Sequence, residues 1–291
     1  MKNIKIFCFG FGQVAKSFIS KLKFENYNIN LSTTSRSETQ EKNFDGINYK
    51  NYQFIDEKYD NALISKLIDA DHILISIPPK YGEDLVVKIF SKFLETSKVK
   101  WITYLSATSV YGNHNGAWVN ENSETKPTSP NGIARFKAEN SWLSLKMSKN
   151  LPVQLFRLSG IYSNERNILM RLKLGTAKLI NKKGHFFSRI HVEDIANILF
   201  KSLSKFKSGE IYNLADDKPS STEELTLYGA KILNIQNPKK VEISEIESEM
   251  LKNFYQDSKK VSNKKIKTYF EYDLKFPTYI EGLNYIRNNF I

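Results

Sequence analysis

The chain contains one cysteine, Cys8, which excludes an intrachain disulfide and a cysteine-based metal cluster and points to a reducing compartment. Histidine is also scarce: His72, His114, His185 and His191 show no close metal-ligand spacing such as H-E-x-x-H, so no catalytic metal is expected. No apolar run approaches the roughly 18 residues of a membrane span. The apolar stretch after Lys2 and Lys5 is interrupted by Gly10 and Gly12 and ended by Gln13 and Lys16, too short for a signal h-region. A long basic block is missing too. Lys plus Arg number 43 against 31 Asp plus Glu, a balance of +12, yet the nearest grouping, Asn181-Lys182-Lys183, sits in a turn-like setting. Lys, Asn and Ile are heavily used throughout, so the charge reads as compositional bias, and no nucleic-acid partner is expected. Together these absences give a cytoplasmic protein without a membrane partner. With 291 residues, 41% of them hydrophobic and 25% charged, the chain is a folded α/β unit or a main domain with a second lobe.

Periodicity supplies the architecture. Residues 4–9 form a short apolar run ending at Gly10, as in a central parallel strand. Val14, Ala15, Phe18, Ile19 and Leu22 then fall at helical spacing. The alternation continues with strands at 29–34, 72–77, 101–106 and 153–158, and helices near 83–96 and 133–147. It predicts a doubly wound parallel sheet, the Rossmann form of the α/β class. Beyond Gly160 the elements shorten: a helix near 167–174, segments at 177–180 and 186–191, a helix from Val192, a strand at 211–214, and a docked terminal helix holding Tyr279, Leu283, Tyr285 and Ile286. Ser221 and Glu224 form a capping-box pattern for a helix at 223–233. The expected domains are a dinucleotide-binding domain over 1–160 and a smaller, partly interleaved substrate lobe over 161–291.

Gly10-Phe11-Gly12-Gln13-Val14-Ala15 reads G-x-G-x-x-A between a strand and a helix. In that position the first glycine makes the tight turn, the second admits a pyrophosphate, and Ala15 allows close helix–strand packing. At the end of the second strand, Leu31-Ser32-Thr33-Thr34-Ser35-Arg36-Ser37 carries no Asp or Glu for a ribose diol. Arg36 with its hydroxyl neighbours suits a 2′-phosphate, so NADP is expected in preference to NAD. The cofactor site is assigned to Gly10, Phe11, Gly12, Gln13, Val14, Ala15, Thr34, Ser35, Arg36, Ile77, Pro78, Arg135 and Ser159.

Several stretches resemble the extended short-chain dehydrogenase/reductases, the NAD-dependent epimerase/dehydratase family. They are Ser106-Ala107-Thr108-Ser109-Val110-Tyr111-Gly112, Phe156-Arg157-Leu158-Ser159-Gly160-Ile161-Tyr162, Ser188-Arg189-Ile190-His191-Val192-Glu193-Asp194-Ile195-Ala196, Ile211-Tyr212-Asn213-Leu214-Ala215-Asp216-Asp217, and Phe276-Pro277-Thr278-Tyr279-Ile280-Glu281-Gly282-Leu283. Catalysis in that family uses a Ser or Thr with a Y-x-x-x-K pair. Here the resemblance places Ala107 at the hydroxyl position, Asn131 at the tyrosine and Arg135 at the lysine. Asn131 has no proton to give, and Arg135 stays charged. The chain is therefore most similar to the atypical members, which lack the Tyr–Lys pair and carry a glycine-and-tryptophan loop, here 111–121.

The candidate catalytic residues are Ser106, Tyr111, Asn131 and Arg135, with His114, Glu121 and His191 as further titratable groups, while Asp194 is expected to serve its own helix N-terminus. Arg171, Lys173 and Arg189 are candidates for an anionic substrate group. The expected function is an NAD(P)-dependent oxidoreductase or epimerase/dehydratase with a non-standard site, acting on a small carbonyl compound or a sugar nucleotide; a non-catalytic NADP(H)-binding protein is the alternative. The resemblance also implies a homodimer.

Overall fold

The computed structural model describes residues 2–180, 182, 184–245 and 255–291; of the basic turn, Asn181 and Lys183 lie outside the described residues. In chain order the first half comprises β1 (Lys2–Phe9), α1 (Gln13–Phe24), β2 (Tyr27–Ser35), β3 (Gln40–Phe44), β4 (Ile47–Ile55), β5 (Lys58–Tyr59), α2 (Leu63–Asp69), β6 (His72–Ile75), α3 (Leu85–Leu94), β7 (Trp101–Ala107), β8 (Trp118–Val119) and α4 (Pro130–Lys149). The second half comprises β9 (Val153–Leu158), β10 (Gly160–Tyr162), α5 (Ile168–Lys173), β11 (Leu179–Ile180), β12 (Arg189–His191), α6 (Val192–Ser204), β13 (Ile211–Leu214), α7 (Thr222–Leu233), β14 (Lys240–Val241), β15 (Lys260–Val261) and the helices Lys264–Phe270 and Tyr279–Phe290.

Two compact units alternate along the chain. Unit one takes residues 1–107, 133–157 and 195–212; unit two takes 108–132, 158–194 and 213–291. Segment 108–132, placed by the sequence reading with the first domain, belongs to unit two, and 195–212 belongs to unit one.

The main sheet runs β13-β9-β7-β6-β1-β2-β4-β3, with β5 on β4. Strand order reverses at β1, which pairs in parallel with β2 on one side and β6 on the other. This is the doubly wound α/β architecture, and a crevice opens at such a switch point beyond the strand carboxyl ends. On one face Phe7, Phe9, Tyr52, Phe54, Phe90 and Trp142 share a core with α2, α3 and α4. On the other, α1 buries Val14, Ala15, Phe18, Ile19 and Leu22, and the Phe18 ring stacks on Trp101 at 5.9 Å.

Strands β3, β4 and β5 were not foreseen. Their inner residues alternate with Glu41, Lys42, Asn43, Asn48 and Lys50, which hides the apolar period. The signal that marks them is Asp45-Gly46, both at positive φ, closing a two-residue hairpin between Phe44 and Ile47.

In unit two, β10 pairs in parallel with β12. Helices α5, α7 and Tyr279–Phe290 enclose Tyr162, Leu169, Ala230, Leu283 and Ile286. Ser221 caps α7 by accepting from Glu224 N–H at 2.9 Å. Glu224 does not complete a capping box there: its carboxylate takes the Tyr279 hydroxyl at 2.7 Å and Lys218 at 3.0 Å, stronger partners than one backbone amide. The box is found instead at Thr278 and Glu281.

Candidate functional site

In unit one, β1 passes into Gly10 at the switch point, and a web of contacts fixes the turn. Gly10 N–H donates to Thr34 Oγ1 at 3.1 Å, and Ser76 Oγ donates to the carbonyls of Phe9 and Gly10, each at 3.1 Å. Gly10 adopts φ +84°, and a Cβ there would fall 2.7 Å from Ile77 Cγ2. Backbone conformation and lack of space both require glycine.

Gly12 differs. Its φ of −87° and ψ of −168° suit any residue, it is exposed, and an added Cβ would meet nothing within 4 Å. No part of unit one requires glycine at this position, whereas close approach by an external group would. Helix α1 starts immediately after it, with no side-chain cap and no acidic residue in its first turn, leaving the positive helix end open to an anion. Val14 and Ala15 are buried and seat the helix on the sheet. The Phe11 ring packs at 5.3 Å on Phe44 and 5.1 Å on Tyr49, so the unforeseen hairpin walls the turn.

At the end of β2 the hydroxyls hold protein rather than pointing outward with Arg36. Thr33 Oγ1 donates to Asn51 Oδ1 at 3.0 Å, Thr34 accepts from Gly10, and Ser35 Oγ accepts from Asn51 Nδ2 at 2.9 Å and from Ser37 N–H. Arg36 is exposed and makes no ion pair with a described residue. Ile77 lies against Gly10, and Pro78 is exposed. Ser76, which pins the turn, was missed; its position directly before Ile77-Pro78 was the available clue.

Among the catalytic candidates of unit one, Ser106 is buried and its Oγ has no hydrogen-bond partner. Arg135 donates to Leu105 O at 2.5 Å and to the Tyr104 hydroxyl at 3.2 Å, which ties its guanidinium to the carboxyl end of β7. Strand β7 ends at Ala107, and residues 108–111 form a 3-10 turn.

Among those of unit two, Asn131 is exposed near the start of α4. Tyr111 is fully buried, and its hydroxyl donates to Asn213 Oδ1 at 2.8 Å; Asn213 N–H in turn donates to Glu121 Oε1 at 2.8 Å. This chain of bonds accounts for both Tyr111 and Glu121 within unit two. His114 Nε2 lies 3.1 Å from Tyr111 O and 3.2 Å from Glu124 O, two acceptors that assign the ring proton to Nε2. His191 packs at 4.1 Å on Phe276, and burial holds it near a pKa of about 3. Asp194 does not cap its own helix: it accepts from Tyr272 Oη and from the amides of Lys275 and Phe276. Ser159 Oγ is buried without a hydrogen-bond partner among the described residues.

Unit two encloses a cavity of about 520 Å³ bounded by Tyr162, Tyr255, Tyr279, Phe187 and aliphatic residues of α5 and α7. Four cations line it, Arg166, Arg171, Lys178 and Arg189, against one carboxylate, Glu165. Of the three cations expected to face a substrate, Arg171 and Arg189 are present and Lys173 is not; Lys173 lies two residues beyond Arg171 on α5 and points to another side of the helix. Arg166, Lys178 and Tyr255 were missed, because no local pattern joins segments so far apart in sequence.

Residues 85–215 match the NAD dependent epimerase/dehydratase family. Among solved structures, it is similar over 99% of both chains to a functionally unknown conserved protein from Silicibacter pomeroyi, at 30% identity and a TM-score of 0.85, and the two belong to one family. The fold is shared with the UDP-glucuronic acid 4-epimerase of Bacillus cereus in complex with NAD, at 14% identity, TM-score 0.75 and 99% of both chains. It is also shared with the dTDP-glucose 4,6-dehydratase of Bacillus anthracis in complex with NAD, at 18% identity, TM-score 0.76, 99% of this chain and 97% of that one. No curated protein matches the sequence. No helix among the described residues is long and apolar enough to cross a membrane, and none of their His, Cys, Asp and Glu groupings suits a metal ion. The buried Glu139–Arg157 pair, with Nη2 to Oε2 at 2.7 Å, anchors α4 to β9.

Proposed function

We propose that this chain is a protein of the epimerase/dehydratase type that binds a nicotinamide dinucleotide at the Gly10–Ala15 turn and acts on an anionic small molecule, a sugar nucleotide or a small carbonyl compound, held by the unit-two cavity. The observation that carries the reading is Gly12, a glycine at a helix start that neither backbone conformation nor protein packing requires. The two Bacillus enzymes of the same fold are described with NAD and act on nucleotide sugars. For this chain NADP is the proposed cofactor, because β2 ends without a carboxylate and with Arg36 exposed. When bound, the dinucleotide supplies hydride transfer at its nicotinamide. The protein's part is to seat the pyrophosphate on the α1 amides, meet the 2′-phosphate with Arg36, and hold the substrate anion with Arg166, Arg171 and Lys178.

A second reading, a dinucleotide-binding protein without chemistry, is favoured by one observation, that the Tyr111 hydroxyl already donates to Asn213 Oδ1, and it agrees with the reading of Asn131 at the position of the usual tyrosine. Titration of the purified chain with NADPH, NADH and ADP-ribose, alongside Arg36→Ala, tests the cofactor assignment. Absence of binding to all three overturns it. Incubating the NADPH-loaded protein with UDP- and dTDP-sugars and small carbonyl compounds then separates the readings, since any confirmed product removes the second.

A further inference from the structure

The unit-two cavity contains an arginine whose charge has no ionic partner among the described residues. Arg189 is 5% exposed, and its guanidinium donates only to neutral oxygens, those of Phe187 O, Ser220 O and Oγ, and Ser221 O. A buried guanidinium bonded only to neutral groups keeps its full field, and burial lowers its affinity for its own proton. The carboxylate acting most strongly on that charge is Asp216, whose backbone N–H donates to Arg189 O at 2.6 Å.

Asp216 is itself poorly accommodated as an anion. It is 1% exposed; Oδ1 accepts from Lys218 N–H at 3.2 Å, and Oδ2 is buried with no hydrogen-bond partner among the described residues. Burial pushes this carboxyl up to about 8, against the opposing pull of Arg189 and the Lys218 amide. The other charged or titratable groups around it are Asp217, beside it in the chain, Asp194 of α6, and the Tyr162 phenol of β10. Asp217 is compensated by Lys267 at 2.7 Å, and Asp194 by Tyr272 and two amides, so neither provides Asp216 with a cation.

Resting on the reading of the cavity as an anion site, we propose that Asp216 sets the charge the cavity offers: with its proton in place the field of Arg189 reaches an anionic ligand, and without it the two buried charges offset each other. Ligand and proton are then taken up together. The residue tunes specificity through Arg189, and the bonds of Arg189 to carbonyls stay as they are in both states.

The test uses the full chain and sulfate, an anion that does not titrate between pH 7 and 9. Calorimetry is expected to show sulfate binding about tenfold more weakly at pH 9 than at pH 7, the effect of one ionised carboxyl near the site. At pH 8, the heat measured in two buffers of different ionisation enthalpy should reveal net proton uptake. Asp216→Asn, or Asp216→Ser if the amide variant fails to fold, should abolish both effects and keep the tighter affinity at pH 9. Equal affinity at pH 7 and 9 without proton uptake overturns the role of Asp216 and leaves the anion site standing. Absence of sulfate binding at either pH by the folded protein overturns the anion site, and this proposal with it.

Discussion

Two glycines separated by a single residue should respond to substitution in opposite ways. Gly10→Ala forces a side chain into φ +84° and sets its Cβ 2.7 Å from Ile77 Cγ2 and 3.0 Å from Ser76 Oγ. The left-handed conformation costs roughly 1–2 kcal/mol, and pushing a packed methyl aside adds roughly 1–3 kcal/mol. For a protein of this size the sum lowers the thermal midpoint by roughly 3–8 °C. Gly12→Ser meets no atom, keeps an allowed conformation and installs a preferred N-cap residue, so stability should stay within about 0.5 kcal/mol of the parent. The new hydroxymethyl group nevertheless stands where a pyrophosphate must approach and competes for the α1 amides, and NADPH affinity should fall at least about tenfold. Urea unfolding and nicotinamide fluorescence titration on both variants measure the two effects separately. A Gly12→Ser protein that is stable and binds NADPH like the parent would refute the reasoning, because the turn would then be a purely structural one.

Other perturbations follow from the same geometry. Arg36→Ala should weaken NADPH while leaving NADH binding within about twofold, read by the same titration; equal losses would remove the 2′-phosphate assignment. Glu139→Gln leaves Arg157 buried without its anion and should cost roughly 3–5 kcal/mol in urea unfolding. His72 and His191 are held neutral by burial near pKa values of about 4 and about 3. The unfolded chain protonates them near 6.5, so their contribution is complete above that pH and is lost as pH falls toward 4; unchanged urea midpoints between pH 7 and pH 5 would contradict this. Tyr111→Phe removes one buried hydrogen bond to Asn213 and should cost about 1 kcal/mol without altering dinucleotide affinity. A lost cofactor in that variant would return Tyr111 to the binding site.

What the residues disclosed in advance depended on whether the signal was local. The turn at Gly10–Ala15 and the stripe Val14, Phe18, Leu22 were legible because strand, glycine and helix follow one another within a short span and each imposes its own period. The hairpin of β3 and β4 was obscured by its half-exposed strands, although Asp45-Gly46 announced it. The hydroxyls near Arg36 were legible as residues but not as roles: only the fold brings Asn51 and Gly10 to them. Asp194 and Glu224 were assigned to their own helix ends, the nearest donors in sequence, whereas tertiary partners at Tyr272 and Tyr279 won. The missed cavity residues Arg166, Lys178 and Tyr255 lie on separate segments, and no spacing rule unites them.

The alternation of the two units has a consequence for how the protein is made. A nascent chain that has released the glycine turn, and even β9 at residue 158, still lacks residues 195–212 of unit one, and unit two is already interrupted by then. Neither unit can complete itself during synthesis in the order N-terminal half first. Both remain unfinished on the ribosome until the intervening segments of the other have emerged, so a translational pause between residues 108 and 212 exposes two incomplete cores rather than one finished and one waiting.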